Sequence, residues 1–283
     1  SMRLLSVLVT CAVLFISAAR AQDITVTRDI VYASNGGVPL HLDLYKPSGK
    51  KMVTGIVVVR GGGWRQGDKE GFSKIATSLA KQGFAAACIE YRVLPEWKFP
   101  TQVHDVKAAV RWMRAQGAQY RVRREPIGAI GGSAGGHLVA MLGTSFRAAD
   151  LEGDGGNANV SSRVQAVVAM APVVDFTSLG KAQPDRNVEF IGGTYQNNEA
   201  VALRASPVTY LSRDSAPMLL MHSTADKLVP YAQSLEMMER GKAVGVKTEL
   251  VTIEDAPHGF WNNPRWHDEV MARAGAFFHR MLD

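Results

Sequence analysis

The chain has 283 residues, 46 % of them hydrophobic and 20 % charged, a balance that excludes a disordered chain. Its 27 glycines follow no repeat, which excludes a collagen-like fibre or a solenoid. Lys+Arg 32 against Asp+Glu 26 leaves a formal charge of +6. The basic residues are scattered rather than grouped, so no nucleic-acid partner is expected.

The first segment reads as a targeting signal. Ser1 is expected to be an addition ahead of a natural start at Met2; Arg3 then gives a short positive region and Leu4 to Ile16 an apolar run. Ala19-Arg20-Ala21 fits the A-x-A pattern of a signal-peptidase site, which places the mature start at Gln22. The run is shorter than the roughly 20 apolar residues that span a bilayer. Residues 1–21 are therefore expected to be a signal peptide, and residues 22–283 a single domain that is secreted or periplasmic, with no stable membrane insertion after cleavage. Cys11 leaves with the signal, so Cys88 has no partner for an internal disulfide.

Downstream, Val38 to Tyr45 alternates apolar and polar residues and is expected to pair with Ile24 to Tyr32 across an Asn35-Gly36-Gly37 hairpin signal. The pattern then changes. Gly55 to Val59 is a continuous apolar run, as a strand covered on both faces of a parallel sheet requires. Similar runs lie at Phe84 to Tyr91, Ile127 to Ile130, Val164 to Ala171, Met218 to His222 and Thr248 to Ile253. Between them are stripes of helical period, such as Val103, Val106, Ala109, Val110 and Met113. Strands that alternate with helices predict an α/β fold with a mainly parallel sheet and helices on both faces. Ala149 to Ser162 and Thr177 to Asn187 read as surface loops on the rim of a pocket.

Gly131-Gly132-Ser133-Ala134-Gly135 fits G-x-S-x-G and sits between the Ile127 strand and the helix through Leu138. A serine on so sharp a strand-to-helix turn needs small neighbours on both sides. The hydroxyl then stands near a helix N-terminus, where the dipole favours developing negative charge. A serine nucleophile needs a base, and the base an orienting carboxylate. Asp226 follows the Met218 strand and His258 follows the Thr248 strand, so both lie in loops after later strands, in the order this architecture demands. Ser133, Asp226 and His258 are thus the candidate catalytic residues. Ala134 and the Gly61-Gly62-Gly63 run after the Val57 strand are candidate sources of backbone N–H groups for an oxyanion.

The chain resembles the α/β-hydrolase superfamily, specifically carboxylesterases of the hormone-sensitive-lipase and feruloyl/acetyl-esterase-like type. The resemblance is carried by Gly61-Gly62-Gly63-Trp64, Tyr91-Arg92-Val93-Leu94-Pro95-Glu96 with Phe99-Pro100 and Asp105, and the Gly131 to Gly136 turn. Ser206-Pro207-Val208, the Asp226 to Pro230 loop and Pro257-His258-Gly259-Phe260 complete it. It implies the α/β-hydrolase fold with an eight-stranded sheet, a Ser133–Asp226–His258 triad, an oxyanion hole of Gly62, Gly63 and Ala134, and chemistry without metal or organic cofactor. The implied activity is hydrolysis of short-acyl carboxylic esters, acetyl or feruloyl esters of plant polysaccharide, through an acyl-enzyme. An arylformamidase, a peptidase-like hydrolase and an inactive hydrolase-like binding module remain as alternatives.

Two departures stand out. Arg60 occupies the position where the family has histidine before the glycine run, and His222-Ser223 replaces its His-Gly. Arg60 is expected either to reach the pocket and bind a carboxylate-bearing substrate or to turn outward into an ion pair. Arg92 and Asp105 are expected to pair and brace the loops. Trp64, Trp97 and Trp261 are candidate stacking surfaces for sugar or aromatic rings.

Overall fold

Eight strands form one sheet in the order β1-β2-β4-β3-β5-β6-β7-β8 in the computed structural model, which describes residues 23–179 and 185–283. In chain order these elements are β1 (Ile24–Asn35), β2 (Val38–Pro47), β3 (Val53–Val59), α1 (Ser73–Lys81), β4 (Ala85–Ile89), α2 (Thr101–Gln116), β5 (Val122–Gly132) and α3 (Ala134–Thr144). They continue with β6 (Ala166–Met170), α4 (Asp185–Ile191), α5 (Glu199–Ala205), β7 (Met218–Ser223), α6 (Ala232–Ala243), β8 (Thr248–Ile253) and α7 (His267–Leu282). β1 pairs antiparallel with β2, and β2 with β4, while every other pairing is parallel. The expected signal peptide lies outside the described residues. Among the described residues, no helix is long and apolar enough to cross a membrane.

The period of two along each central strand divides the core. Val57 and Val59 of β3, Ile127 and Ala129 of β5, and Val167 and Ala169 of β6 point into one apolar layer with α2 and α3. Ile56 and Val58, Ile130, and Val168 and Met170 point into the other, against α1 and α7. Both faces are buried, so the strands need no polar alternation, which is why they read as continuous apolar runs.

The order β4-β3-β5 carries the functional consequence. The chain leaves β3 to one side to form β4 and leaves β5 to the other to form β6. The connections at the carboxyl ends of β3 and β5 therefore diverge and open a crevice, the usual ligand position in an open α/β sheet. The glycine run follows β3 and Ser133 follows β5, so the topology brings both to one crevice.

Two expected loops differ from the structure. In the Thr177 to Asn187 segment a helix, α4, already begins at Asp185, because Phe190 and Ile191 are buried against the core and hold it there; residues 180–184 lie outside the described set. Ala149 to Ser162 does not rim the crevice but wraps α2. There Lys107 pairs with Glu152 at 2.6 Å, Arg111 donates to the carbonyl oxygen of Gly156 at 3.0 Å, and Arg114 donates to that of Ser161. Arg92 does pair with Asp105, whose carboxylate is fully buried, through Nη2 at 2.7 Å and Nε at 3.0 and 3.2 Å.

Candidate active site

Ser133 occupies the turn between β5 and α3 with φ 56° and ψ −121°, a region that costs a non-glycine residue of order 1–3 kcal/mol. Close packing holds it there. The N–H of Ser133 donates to the carbonyl of Met170 at 2.8 Å, and its own carbonyl accepts from the N–H of His137 at 2.9 Å. The flanking glycines leave no space for a side chain. A Cβ on Gly135 would lie 2.0 Å from the carbonyl oxygen of Val59, and one on Gly132 would lie 2.6 Å from the Trp261 ring.

The structure brings Ser133, His258 and Asp226 together. Ser133 Oγ donates to His258 Nε2 at 2.9 Å, and His258 Nδ1 donates to Asp226 Oδ2 at 2.7 Å. The second oxygen, Oδ1, accepts from the backbone N–H groups of Leu228 at 2.8 Å and Val229 at 3.0 Å. Burial works to raise the Asp226 pKa. Hydrogen bonds from His222, His258 and the Val229 backbone outweigh it and hold the carboxyl well below the usual range. The aspartate is thus an anion fixed under the imidazole, as an orienting group must be.

His222 is a member of this assembly that sequence reasoning treated only as a small departure from a motif. It is fully buried at the end of β7, with Nε2 3.1 Å from the Val229 carbonyl oxygen and 3.4 Å from Asp226 Oδ2. Facing two acceptors, Nε2 must carry the proton, which leaves Nδ1 to accept from Ser234 Oγ at 2.7 Å. The signal available in the sequence was a polar residue closing an otherwise apolar buried strand, four residues before the aspartate.

The glycine run passes beside Ser133, where a Cβ on Gly61 would come within 3.3 Å of Ser133 Cβ. Gly62 and Gly63 have φ of +110° and +62°, and a Cβ on Gly62 would fall 2.0 Å from the Gln66 carbonyl oxygen. Among the described residues no acceptor takes the N–H of Gly62 or Gly63. Ala134 opens α3, so its N–H has no partner in the helix ladder. Gly61, Gly62 and Gly63 line a cavity of about 910 Å³ with Ser133, His258, Phe72 and Trp261. Arg186 of α4 also lines it and donates to the Leu228 carbonyl at 3.2 Å, while Arg65 pairs with Glu189.

Three expectations about substrate contacts change. Trp64 is not a stacking surface: it is 1 % exposed, stacked on Phe190 with centroids 4.3 Å apart, and its Nε1 donates to His137 Nδ1 at 3.2 Å. Its φ of 58° turns the side chain into the core, where it anchors the glycine loop. Trp97 lies under the Arg92 guanidinium, 4.6 Å from its carbon, and is not among the cavity residues. Arg60 does not turn outward into an ion pair. It is 5 % exposed and lines the cavity, and its Nη1 donates to the Gln66 carbonyl oxygen at 2.6 Å and to that of Gly61 at 3.2 Å. Trp261 does line the cavity, with its ring edge-on to His258 at 5.4 Å between centroids.

Known proteins share this architecture. A truncated carbohydrate esterase from gut microbiota superposes with a TM-score of 0.81 at 27 % identity, covering 93 % of this chain and 98 % of that one. The propionate-bound esterase 2 of Thermogutta terrifontis gives 0.77 at 30 % identity, covering 92 % and 94 %. The esterase LipC of Mycobacterium tuberculosis is 28 % identical over 241 residues, 82 % of this chain, and the chain spans 59 % of that relative's length. Residues 42–240 match the BD-FAE family model, a stretch that runs from β2 through most of α6 and includes the glycine loop, Ser133 and Asp226. With the α/β-hydrolase fold and most of the chain matched, the protein belongs to the BD-FAE family.

Proposed function

We propose that this chain is a serine carboxylic-ester hydrolase. The observation that carries the reading is the unbroken relay Ser133 Oγ–His258–Asp226 at 2.9 and 2.7 Å, opening on a cavity beside backbone N–H groups that have no acceptor among the described residues. His258 Nε2 takes the Ser133 proton as Oγ bonds to the ester carbonyl carbon, and the carbonyl electron pair moves onto its oxygen. The N–H groups of Gly62, Gly63 and Ala134 hold that oxyanion. Collapse re-forms the carbonyl and breaks the bond to the alcohol, which leaves with the proton from His258. Water then loses a proton to His258, attacks the acyl-enzyme, and the second collapse returns Ser133 and frees the acid. Asp226 keeps the proton of neutral His258 on Nδ1 and stabilises the imidazolium.

The substrate is assigned to short-acyl esters, with acetyl or feruloyl groups on plant polysaccharide as the natural source. Support comes from the esterase neighbour that holds propionate and from the carbohydrate esterase of similar fold. Export is inferred from the Arg3 to Ala21 segment alone, read as a signal peptide, and an exported enzyme would meet such polymers. The test is hydrolysis of p-nitrophenyl esters from acetyl to decanoyl by wild type and Ser133→Ala. Turnover highest at acetyl or propionyl, and absent in a folded Ser133→Ala, is expected. A preference for decanoyl would overturn the short-acyl assignment, and turnover that survives Ser133→Ala would overturn the nucleophile.

A further inference from the structure

Arg60 reaches the cavity, as one of its sequence readings has it, but its Nη1 donates to carbonyls of its own loop. Directly after β3, its side chain folds back over the loop that follows. Nη1 donates to the carbonyl oxygens of Gly61 and Gln66, and the guanidinium carbon lies 4.3 Å from the Tyr91 ring centroid. Tyr91 is buried and its Oη donates to the carbonyl oxygens of Arg60 at 3.1 Å and Gly61 at 3.4 Å. Both side chains therefore grip the same acceptor, the carbonyl of Gly61. Gly67 closes the other side, where a Cβ would lie 3.3 Å from Arg60 Nη1.

That carbonyl belongs to the planar peptide that also carries the N–H of Gly62. In a trans peptide the C=O and the following N–H point in opposite directions. Whatever fixes the Gly61 oxygen fixes the Gly62 hydrogen. The neighbouring donors are aimed by backbone alone. Gly62 O accepts from the N–H of Arg65 and Gln66, both at 3.1 Å, which sets the peptide bearing the Gly63 N–H. Ser133 O accepts from the N–H of His137, which sets that of Ala134. For the Gly61–Gly62 peptide two side chains do this work. It lies between two glycines, so rotation of the whole unit meets little resistance from the chain itself.

We propose that Arg60, with Tyr91, is a positioning residue that aims the Gly62 N–H at the oxyanion and makes no contact with substrate. The inference rests on the esterase reading and deepens it, because the charge of Arg60 serves the transition state and not the recognition of an anionic ester. The variants are Arg60→Met, which keeps the length of the side chain and removes its donors, and Arg60→Lys, which keeps the charge and loses the fork. Each is assayed with p-nitrophenyl acetate for kcat and KM and with a trifluoromethyl ketone that forms a tetrahedral adduct on serine. Losing one oxyanion donor costs ~10²–10³ in rate, so a misaimed donor in Arg60→Met is expected to cost about 10- to 100-fold in kcat. KM stays within about twofold, and affinity for the ketone falls by the same factor as kcat. Arg60→Lys recovers part of both.

Unchanged kcat and ketone affinity in a folded Arg60→Met would overturn the inference. So would a loss confined to KM, or to esters that carry a carboxylate. If Arg60→Met does not fold, Tyr91→Phe keeps the ring and removes one donor to the Gly61 carbonyl. It is then expected to lower kcat and ketone affinity together, by less than tenfold, and wild-type values would count against the inference in the same way. Wild type and Ser133→Ala run alongside separate the two levels. With no Ser133-dependent turnover in wild type the esterase reading falls and this inference with it, whereas normal wild-type turnover matched by Arg60→Met removes this inference alone.

Discussion

Acidification tests how the glycine loop is tied to α3. His137 lies in α3, fully buried among Trp64, Phe176 and Phe190, with ring centroids 5.3 to 5.4 Å from theirs. Its Nδ1 accepts from Trp64 and its Nε2 donates to the Ala205 carbonyl at 2.8 Å, so a second proton would set two donors face to face. Burial pushes this imidazole from 6.5 down to about 4. The folded state thus keeps His137 neutral while the unfolded chain protonates it, and stability is full above pH 6.5 and declines as pH falls toward 4. At 1.36 kcal/mol per pH unit, the decline reaches about 2 kcal/mol at pH 5 and about 3 kcal/mol near pH 4. Urea unfolding of wild type and His137→Gln at pH 7 and pH 5 isolates the contribution, since other acid-titrating groups are common to both. The variant is expected to be less stable at pH 7, with the gap closing by about 2 kcal/mol at pH 5. A gap that is the same at both values would refute the assignment of a neutral, buried His137.

Two further substitutions probe the site. His222→Leu removes the ring that stands 3.4 Å from Asp226 Oδ2 without touching substrate, and kcat is expected to fall by about tenfold with KM within about twofold. Wild-type kcat in a folded His222→Leu would show that Asp226 needs no second histidine. Gly135→Ala drives a Cβ against the Val59 and Arg60 carbonyl oxygens, both backbone atoms, and is expected to cost about 1–3 kcal/mol in thermal unfolding along with most of the turnover. Wild-type melting and rate would contradict the close approach of α3 to the end of β3.

The three residues that meet at the candidate site could be picked out of the sequence because their placement depends on backbone order. Ser133, Asp226 and His258 each follow a strand whose apolar run is visible, and the sheet brings those carboxyl ends together. What stayed hidden depends on the direction of a side chain. Trp64 next to three glycines reads as a ligand contact until its positive φ turns the indole inward onto Phe190, a residue more than a hundred positions away. Arg60 reads as a charge in search of a carboxylate, yet its Nη1 donates to carbonyls of its own loop and its guanidinium lies over the face of Tyr91. The helix α4 was hidden for a related reason: its short, polar segment is held by two buried apolar residues, Phe190 and Ile191, rather than by its own periodicity. Charged residues of α2 that satisfy carbonyls in the 149–162 loop likewise give no periodic trace, and that loop was misplaced on the pocket rim.

The most direct test of the central claim is to trap the intermediate. The full chain is mixed with p-nitrophenyl acetate, quenched in acid within the first turnover, digested and examined by mass spectrometry. One acetyl group on the peptide that carries Ser133 is predicted, formed with a burst of one p-nitrophenol per chain and absent from His258→Ala. Rapid turnover with no acetyl on Ser133, or acetyl on another residue that accounts for the burst, would contradict the account.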